Sequence, residues 1–307
     1  MQTDQQDFET LVNLAMQDGA VSHMRAVVEK ELLHYDILFA LEKGGFLDEL
    51  VFQGGTSLRL CYGGNRFSED LDFAGGIGFS SHKLAQMKEY IELYVGNRYG
   101  LEVTVKEPKT LKEDPKYSEL NIDKWQIAIV TAPDRRSTPK QRIKLEVANI
   151  PAYTKEPLPL QANYDFLPDG YRDMLVLTET LDEVMADKLV SLPATQKYVR
   201  NRDIWDLAWL KQQGAVVRTD LVAQKVADYK IAEAYNAMLM SMIERLPSLI
   251  TGEEFMAEMK RFIPTDVFDR TLGQKKFITY LASSVVTMLK EVQSSFRESD
   301  ETPEFKM

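Results

Sequence analysis

The stretch that most constrains the fold is residues 50–74, LVFQGGTSLRLCYGGNRFSEDLDFA. It reads as a short buried strand, a glycine-rich turn, a short helical segment, a second glycine turn and another strand, so its two ends belong together. On an extended strand the side-chain period is 2, which sends Asp70 and Asp72 to one face. Two carboxylates on one face repel unless a cation lies between them, which makes the pair a candidate Mg²⁺ site. Gly54-Gly55-Thr56-Ser57 offers a flexible backbone with N–H groups at a helix start, suited to a triphosphate. A phosphate cradle beside a metal pair suggests phosphoryl or nucleotidyl transfer. Taken singly, each piece has a plainer reading: a glycine pair before a helix is often only a turn, and an isolated D-x-D is often a solvated face.

Composition bounds the partners. The 37 Lys and Arg stand against 47 Asp and Glu, a formal net charge of −10 over 307 residues. Such a balance argues against non-specific nucleic-acid binding over the whole surface but leaves room for a local basic groove. RRSTPKQRIK, residues 135–144, is one candidate for it, or else a solvated loop leading into a strand. No apolar run approaches a membrane span, and the N-terminus lacks the layout of a signal peptide. The single cysteine, Cys61, rules out an intramolecular disulfide and suits a reducing cytoplasm, with burial as its expected role.

Along the chain, residues 7–42 have a helical pattern, with apolar residues at 28, 32, 35, 38, 39 and 41. An amphipathic helix is expected over 81–99 and strands over 101–108, 125–132 and 142–150, with a polar loop or short helix over 109–124. A Pro-rich link follows, and from Leu181 the pattern is helical almost to the end. The expected organisation is an α+β domain with a small mixed sheet over 1–170, a helical domain over 171–295 and a disordered tail over 296–307.

Further residues could join the first site. Glu146, on the polar side of RIKLEVANI, is either a third metal carboxylate or a partner for Lys144 or Arg142. A third acid helps because two divalent ions about 4 Å apart concentrate positive charge. In the helical half, Lys188 could emerge toward a triphosphate. Asp203 and Asp206 lie i,i+3 on one helix face, where a salt-bridge network with Arg200 and Arg202 is the competing reading. His23, His34 and His82 have no metal-ligand spacing, and the methionines of 238–259 read as core filling.

Taken in order, GGTS, RFSEDLD, KLEV, EVMADKL and RNRDIWDL, with VEKELLHYDILFAL upstream, resemble the AbiEii/AbiGii-type toxins over roughly residues 27–210. These are nucleotidyltransferase-like proteins of type IV toxin–antitoxin and phage-defence systems. The resemblance implies a DNA polymerase β-like nucleotidyltransferase fold with an appended helical domain. It places Gly55, Thr56 and Ser57 in the phosphate-binding turn, next to Gly54, and Ser68 just before the metal pair Asp70 and Asp72. It makes Lys188 the lysine of the helical motif, Asp203, with Asp206 beside it, its last acid, and Glu146 the third carboxylate of the wider superfamily, a role less regular in this family. Mg²⁺ or Mn²⁺ and an NTP are the implied cofactor and substrate. In the mechanism expected from these residues, Arg66 and Lys188 neutralise the leaving group and Asp203 orients Lys188 or the acceptor. The implied acceptor is RNA, tRNA first, and the implied partner a cognate antitoxin; a cytoplasmic monomer is expected. A protein or small-molecule hydroxyl acceptor, or a GTP-binding regulator without transfer, are the alternative functions. Phosphorylation of Ser68 would place negative charge beside the pair as an off switch; the plainer role is a hydrogen bond within its turn.

Overall fold

The computed structural model describes residues 7–111, 122–135 and 139–301. The chain forms two compact units, Met1–Glu179 and Thr180–Met307. Three stretches read from the sequence fall partly outside the described residues: 112–121 of the polar segment, 136–138 of the basic stretch and 302–307 of the tail.

The first unit is mixed α+β. Its helices are α1 (Phe8–Ala15), α2 (Arg25–Lys43), α3 (Gly54–Leu60), α4 (Met87–Tyr99) and α5 (Asp169–Arg172). Its strands are β1 (Val51–Gln53), β2 (Leu71–Ala74), β3 (Val103–Lys106), β4 (Ile122–Ile129), β5 (Gln141–Ala148), β6 (Lys155–Pro159) and β7 (Leu175–Glu179). The strands form one seven-stranded sheet in the order β3-β4-β5-β2-β1-β7-β6. Within it β2 runs parallel to β5 and β1 parallel to β7, while the remaining pairs are antiparallel.

Alternation decides which face is which. Phe52, Phe73 and Val147 share one cross-strand row, with Leu71, Leu145 and Trp125 in another; all six are buried. Phe52 and Phe73 stack at 5.1 Å between ring centroids, an arrangement that adds about 0.5–1.5 kcal/mol beyond area burial. Helix α2 packs on β5 and α4, and α4 on β3. On the opposite parity Asp72, Lys124, Lys144 and Glu146 are exposed or half-buried, as expected for a sheet with one wet face, while the small Ala74 and Ala148 near its end are buried.

Helix α2 is buried nearly all round, so its polar residues need internal partners. Glu31 takes a two-pronged contact from Arg59, at 2.7 and 3.0 Å. Asp36 accepts from Tyr99 at 2.7 Å and Tyr171 at 2.5 Å and pairs with Arg98 at 3.1 Å. Arg59 also donates to the Gly64 carbonyl at 2.9 Å and lies over the Phe67 ring, tying α3 to the second glycine turn.

Four expectations need correcting. The helical span 7–42 is divided by a 3-10 turn at Gly19–Val21, where the Asp18 carboxylate accepts from the Ala20 N–H. The segment 81–99 is likewise a 3-10 turn, Ser81–Leu84, followed by α4. The Pro-rich link contains β6, so the sheet is larger than expected and the division falls at 179/180, not 170. Pro157 and Pro159 are compatible with a strand because β6 is at the sheet's edge, where the outer side needs no donor. Helix α12 runs to Glu301, so 296–301 is helical where a disordered tail was expected.

The second unit is helical: α6 (Leu181–Ala194), α7 (Asn201–Gln212), α8 (Thr219–Asp228), α9 (Ala232–Ile250), α10 (Glu253–Phe262), α11 (Thr265–Arg270) and α12 (Lys275–Glu301). Helix α6 packs on α7, α8 and α9, and α12 on α9 and α7. Met242 and Met259 are in its core, whereas Met240 is exposed. Among the described residues no helix is long and apolar enough to cross a membrane.

Candidate active site

The glycine turn and the acid pair meet through β1 and β2. These strands are antiparallel, with Gln53 opposite Asp72, so the chain leaves β1 into α3 beside the Asp72 carboxylate. Gly54 has φ +80, in the left-handed region, and a Cβ there would stand 2.8 Å from Asp72 Oδ2. A Cβ on Gly55 would run into Arg66 Nη2 and stand 3.1 Å from Ser68 Oγ. Gly54 is therefore favoured by its backbone as well as by close approach, whereas a side chain at Gly55 would have to displace the end of the buried Arg66 side chain.

The hydroxyls of this turn are used internally. Thr56 Oγ1 donates to the Asp70 carbonyl, and Ser57 Oγ donates to the Gly54 carbonyl at 2.9 Å; both residues are buried. Thr56 thus ties α3 to the acid loop, and any anion at this turn would meet backbone N–H groups and the Arg66 guanidinium. Arg66 is buried and donates to the Phe67 carbonyl at 2.9 Å. Ser68 is also buried, which favours the internal role over exposure to a modifying enzyme.

The loop before β2 is clamped from α2. Lys30 pairs with Glu69 at 2.8 Å, and His34 Nε2 lies 3.0 Å from the Glu69 carbonyl. Burial pushes the His34 imidazole down to about 4, so it is neutral and Nε2–H donates.

Across the wet face, two rows of side chains run through the sheet. One is Gln53, Asp72, Glu146 and Lys124, on β1, β2, β5 and β4. The next begins at Asp70 and continues through Lys144, Gln126 and Lys106, on β5, β4 and β3. The Lys144 N–H donates to Asp70 Oδ1 at 3.0 Å and its ammonium lies 3.4 Å from Oδ2. The Asp70 carboxylate holds the Lys144 ammonium above its ordinary value. Glu146 pairs with Lys124 at 2.9 Å, not with the Lys144 or Arg142 expected from its own strand.

Asp70 and Asp72 present hard oxygen donors on one half-buried face, the chemistry a divalent cation takes. Gln53 Oε1, in the row of Asp72, is buried and accepts no hydrogen bond. A pair of acids and an open amide oxygen fit one such ion. Glu146 is in register but engaged by Lys124, and among the described residues no group of three or more His, Cys, Asp or Glu is arranged to hold a metal.

The helical unit carries a second cluster. Lys188 Nζ is 2.9 Å from Asp203 Oδ1 and 2.7 Å from Asp206 Oδ2, and all three are buried. Ser191 donates to Asp203 at 3.0 Å, and Arg200 pairs with the same carboxylate. Burial pushes the Asp203 carboxyl up, but Lys188 and Arg200 together outweigh it and hold the group well below the usual range. Lys188, expected to emerge toward a triphosphate, instead has its ammonium enclosed by α7. The salt-bridge alternative for Asp203 and Asp206 is thus present, with Lys188 at its centre; Arg202 turns to Glu258 at 3.5 Å. Elsewhere on α6, Lys225 is fully buried against Glu183 at 2.7 Å and Asp187 at 3.1 Å. Cys61 is buried, and burial pushes its thiol up to about 12.

Sequence reasoning passed over Gln53, Lys124 and Lys106. Their parity on β1, β4 and β3 was available, but which strands adjoin β2 and β5 was not.

No curated protein shows detectable similarity to the chain. Two solved Helicobacter pylori structures resemble it at low identity. One, of a candidate nucleotidyltransferase, is 18% identical with a TM-score of 0.48 and covers 93% of this chain and 100% of that one. The other, JHP933, is 17% identical with a TM-score of 0.41 and covers 89% and 94%. The model of the nucleotidyl transferase AbiEii toxins, from type IV toxin–antitoxin systems, matches residues 36–283, and the chain belongs to that family.

Proposed function

We propose that this toxin transfers a nucleotide from an NTP to a hydroxyl of an RNA acceptor, tRNA first, releasing pyrophosphate. In this reading the α+β unit is a polymerase β-like nucleotidyltransferase domain. The observation that carries it is the apposition of Gly54 and Asp72: a turn with no room for a side chain opens a helix beside the second carboxylate of the pair. Backbone N–H groups at the start of α3 would receive the β- and γ-phosphates, and Arg66 beside Gly55 would neutralise charge on the leaving pyrophosphate. Asp70 and Asp72 would hold Mg²⁺ or Mn²⁺, which when bound supplies positive charge at the phosphates and acidifies the acceptor hydroxyl. Lys30, His34 and Thr56 keep the loop bearing Asp70 in place. The type IV context implies a cognate antitoxin as partner.

The test is incubation of the protein with Mg²⁺, total cellular RNA and each α-³²P-labelled NTP in turn, with Asp70→Ala as control. Label in a tRNA-sized band with one nucleotide, lost in a folded variant, is the expected result. Label on protein would move the acceptor to a protein hydroxyl. Transfer by folded Asp70→Ala would overturn the mechanism.

A further inference from the structure

Beside the acid pair, on the side away from the glycine turn, lies a groove of about 470 Å³. Its lining includes Lys106, Lys109, Lys124 and Lys144 on β3, the 3-10 turn after it, β4 and β5. Among the described lining residues, Glu107 and the buried Asp123 are the acids, against these four lysines. Lys144 and Lys124 are paired with Asp70 and Glu146, whereas Lys106 and Lys109 are exposed and make no ion pair among the described residues. In a chain of formal net charge −10, such a groove marks where a polyanion can approach.

The sheet order gives the groove a direction. The glycine turn lies at β1, the acids on β2 with Glu146 on β5, and the lysines on β5, β4 and β3. From Asp70 the row through Lys144 and Gln126 reaches Lys106 three strands away, about 14 Å at the usual spacing. Phosphoryl transfer is in line, with the attacking oxygen and leaving group on opposite sides of the phosphorus. A pyrophosphate leaving toward the turn at β1 requires a nucleophile arriving from the β5 side, where the groove opens.

We propose that this groove is the acceptor track: Lys106, Lys109, Lys124 and Lys144 hold backbone phosphates of the RNA whose terminal hydroxyl is delivered to Asp70 and Asp72. The assignment rests on the transferase reading for its direction. In the step itself the acceptor O–P bond forms as the bond between the α-phosphorus and the bridging oxygen of pyrophosphate breaks. The hydroxyl proton passes to solvent.

The test uses the full chain and its Lys106→Glu/Lys109→Glu variant, with Lys106→Gln/Lys109→Gln as a milder second variant. A fluorescein-labelled single-stranded oligoribonucleotide reports acceptor binding by anisotropy over a salt series. A fluorescent NTP analogue reports nucleotide binding, and thermal melts report folding. Charge reversal should weaken oligonucleotide binding by at least about tenfold irrespective of sequence, and the milder pair should lower the log–log salt slope by roughly 1.4. NTP affinity should stay within about twofold of wild type. Unchanged oligonucleotide binding, or equal losses for NTP and oligonucleotide, would overturn the track. If wild type labels RNA while the variants bind it normally, the track fails and the transferase reading stands. If wild type labels no RNA but binds it through these lysines, RNA binding by the groove stands, and its assignment as an acceptor track falls with the transfer reading. Failure of wild type to bind or label RNA would overturn both.

Discussion

Gly54→Ala separates the architecture of the turn from its chemistry. Two costs are visible at this position. The backbone has φ +80, where an L-residue loses about 1–2 kcal/mol relative to glycine. In a unit of this size, such a loss lowers Tm by roughly 2–8 °C. The second cost is local, because the new Cβ would stand 2.8 Å from Asp72 Oδ2. Ordinary contact begins near 3.4 Å, so the carboxylate must retreat by about 0.6 Å. A displacement approaching 1 Å in a reacting assembly can cost on the order of a hundredfold in rate, so a loss of roughly 10- to 100-fold is expected here. Gly45→Ala is the control: its φ is +70, and a Cβ there meets nothing within 4 Å. The two variants should melt at similar temperatures, while single-turnover nucleotide transfer falls in Gly54→Ala alone. A Gly54→Ala enzyme at the wild-type rate, or a Gly45→Ala enzyme equally impaired, would refute the assignment of the contact to the site.

Two further predictions concern buried charge. Lys188→Met leaves Asp203 and Asp206 enclosed without their shared cation, which should cost about 3–5 kcal/mol at neutral pH in denaturant melts. Because the Asp203 carboxyl is held low, the interaction is fully present above the unfolded value of about 4 and is lost as pH falls through the folded one; a gap that does not narrow on acidification would contradict the ion-pair account. His34 and Asp36, on one helix, have opposite pH dependences. His34 is pushed down to about 4, so the unfolded chain binds more protons between there and about 6.5, and acid destabilises the fold. Burial raises Asp36 to about 6, so the folded chain binds more protons down to about 4, and acid stabilises it. Each effect is of order 3 kcal/mol, so in wild type they offset. Between pH 6 and 4, His34→Gln should gain stability and Asp36→Asn lose it, and parallel pH profiles for the two variants would refute the pairing.

Much of the first unit was legible because its strands alternate cleanly. In RIKLEVANI, Ile143, Leu145 and Val147 had to share a face, and they do, all buried. Proline misled at β6: Pro157 and Pro159 rule out a central strand, yet an edge strand needs donors on one side only. Helix α2 misled in a different way. A 3.6-residue apolar period predicts one buried stripe, whereas α2 is covered nearly all round, with Glu31, His34 and Asp36 inside. Nothing local announces that, because their partners Arg59, the Glu69 carbonyl, Tyr99 and Tyr171 come from distant elements.

The candidate site divides along the same line between local and long-range information. That Asp70 and Asp72 share a face follows from the strand period alone, and that Gly54 precedes a helix follows from the turn. That a side chain at Gly54 would meet Asp72 depends on the β1–β2 register, in which Gln53 faces Asp72. The same dependence explains Glu146. Its parity on β5 was readable, but its partner is Lys124, on a neighbouring strand whose identity is a matter of sheet order. Lys188 shows the corresponding limit for helices: its spacing places it on a face of α6 without saying that α7 presents two aspartates to that face. A D-x-D beside a glycine turn is therefore enough to suggest the chemistry. The cations paired with these acids, Lys144 on Asp70 and Lys124 on Glu146, are set by which strands adjoin β5 and β2, and the same two lysines line the groove proposed to hold the acceptor.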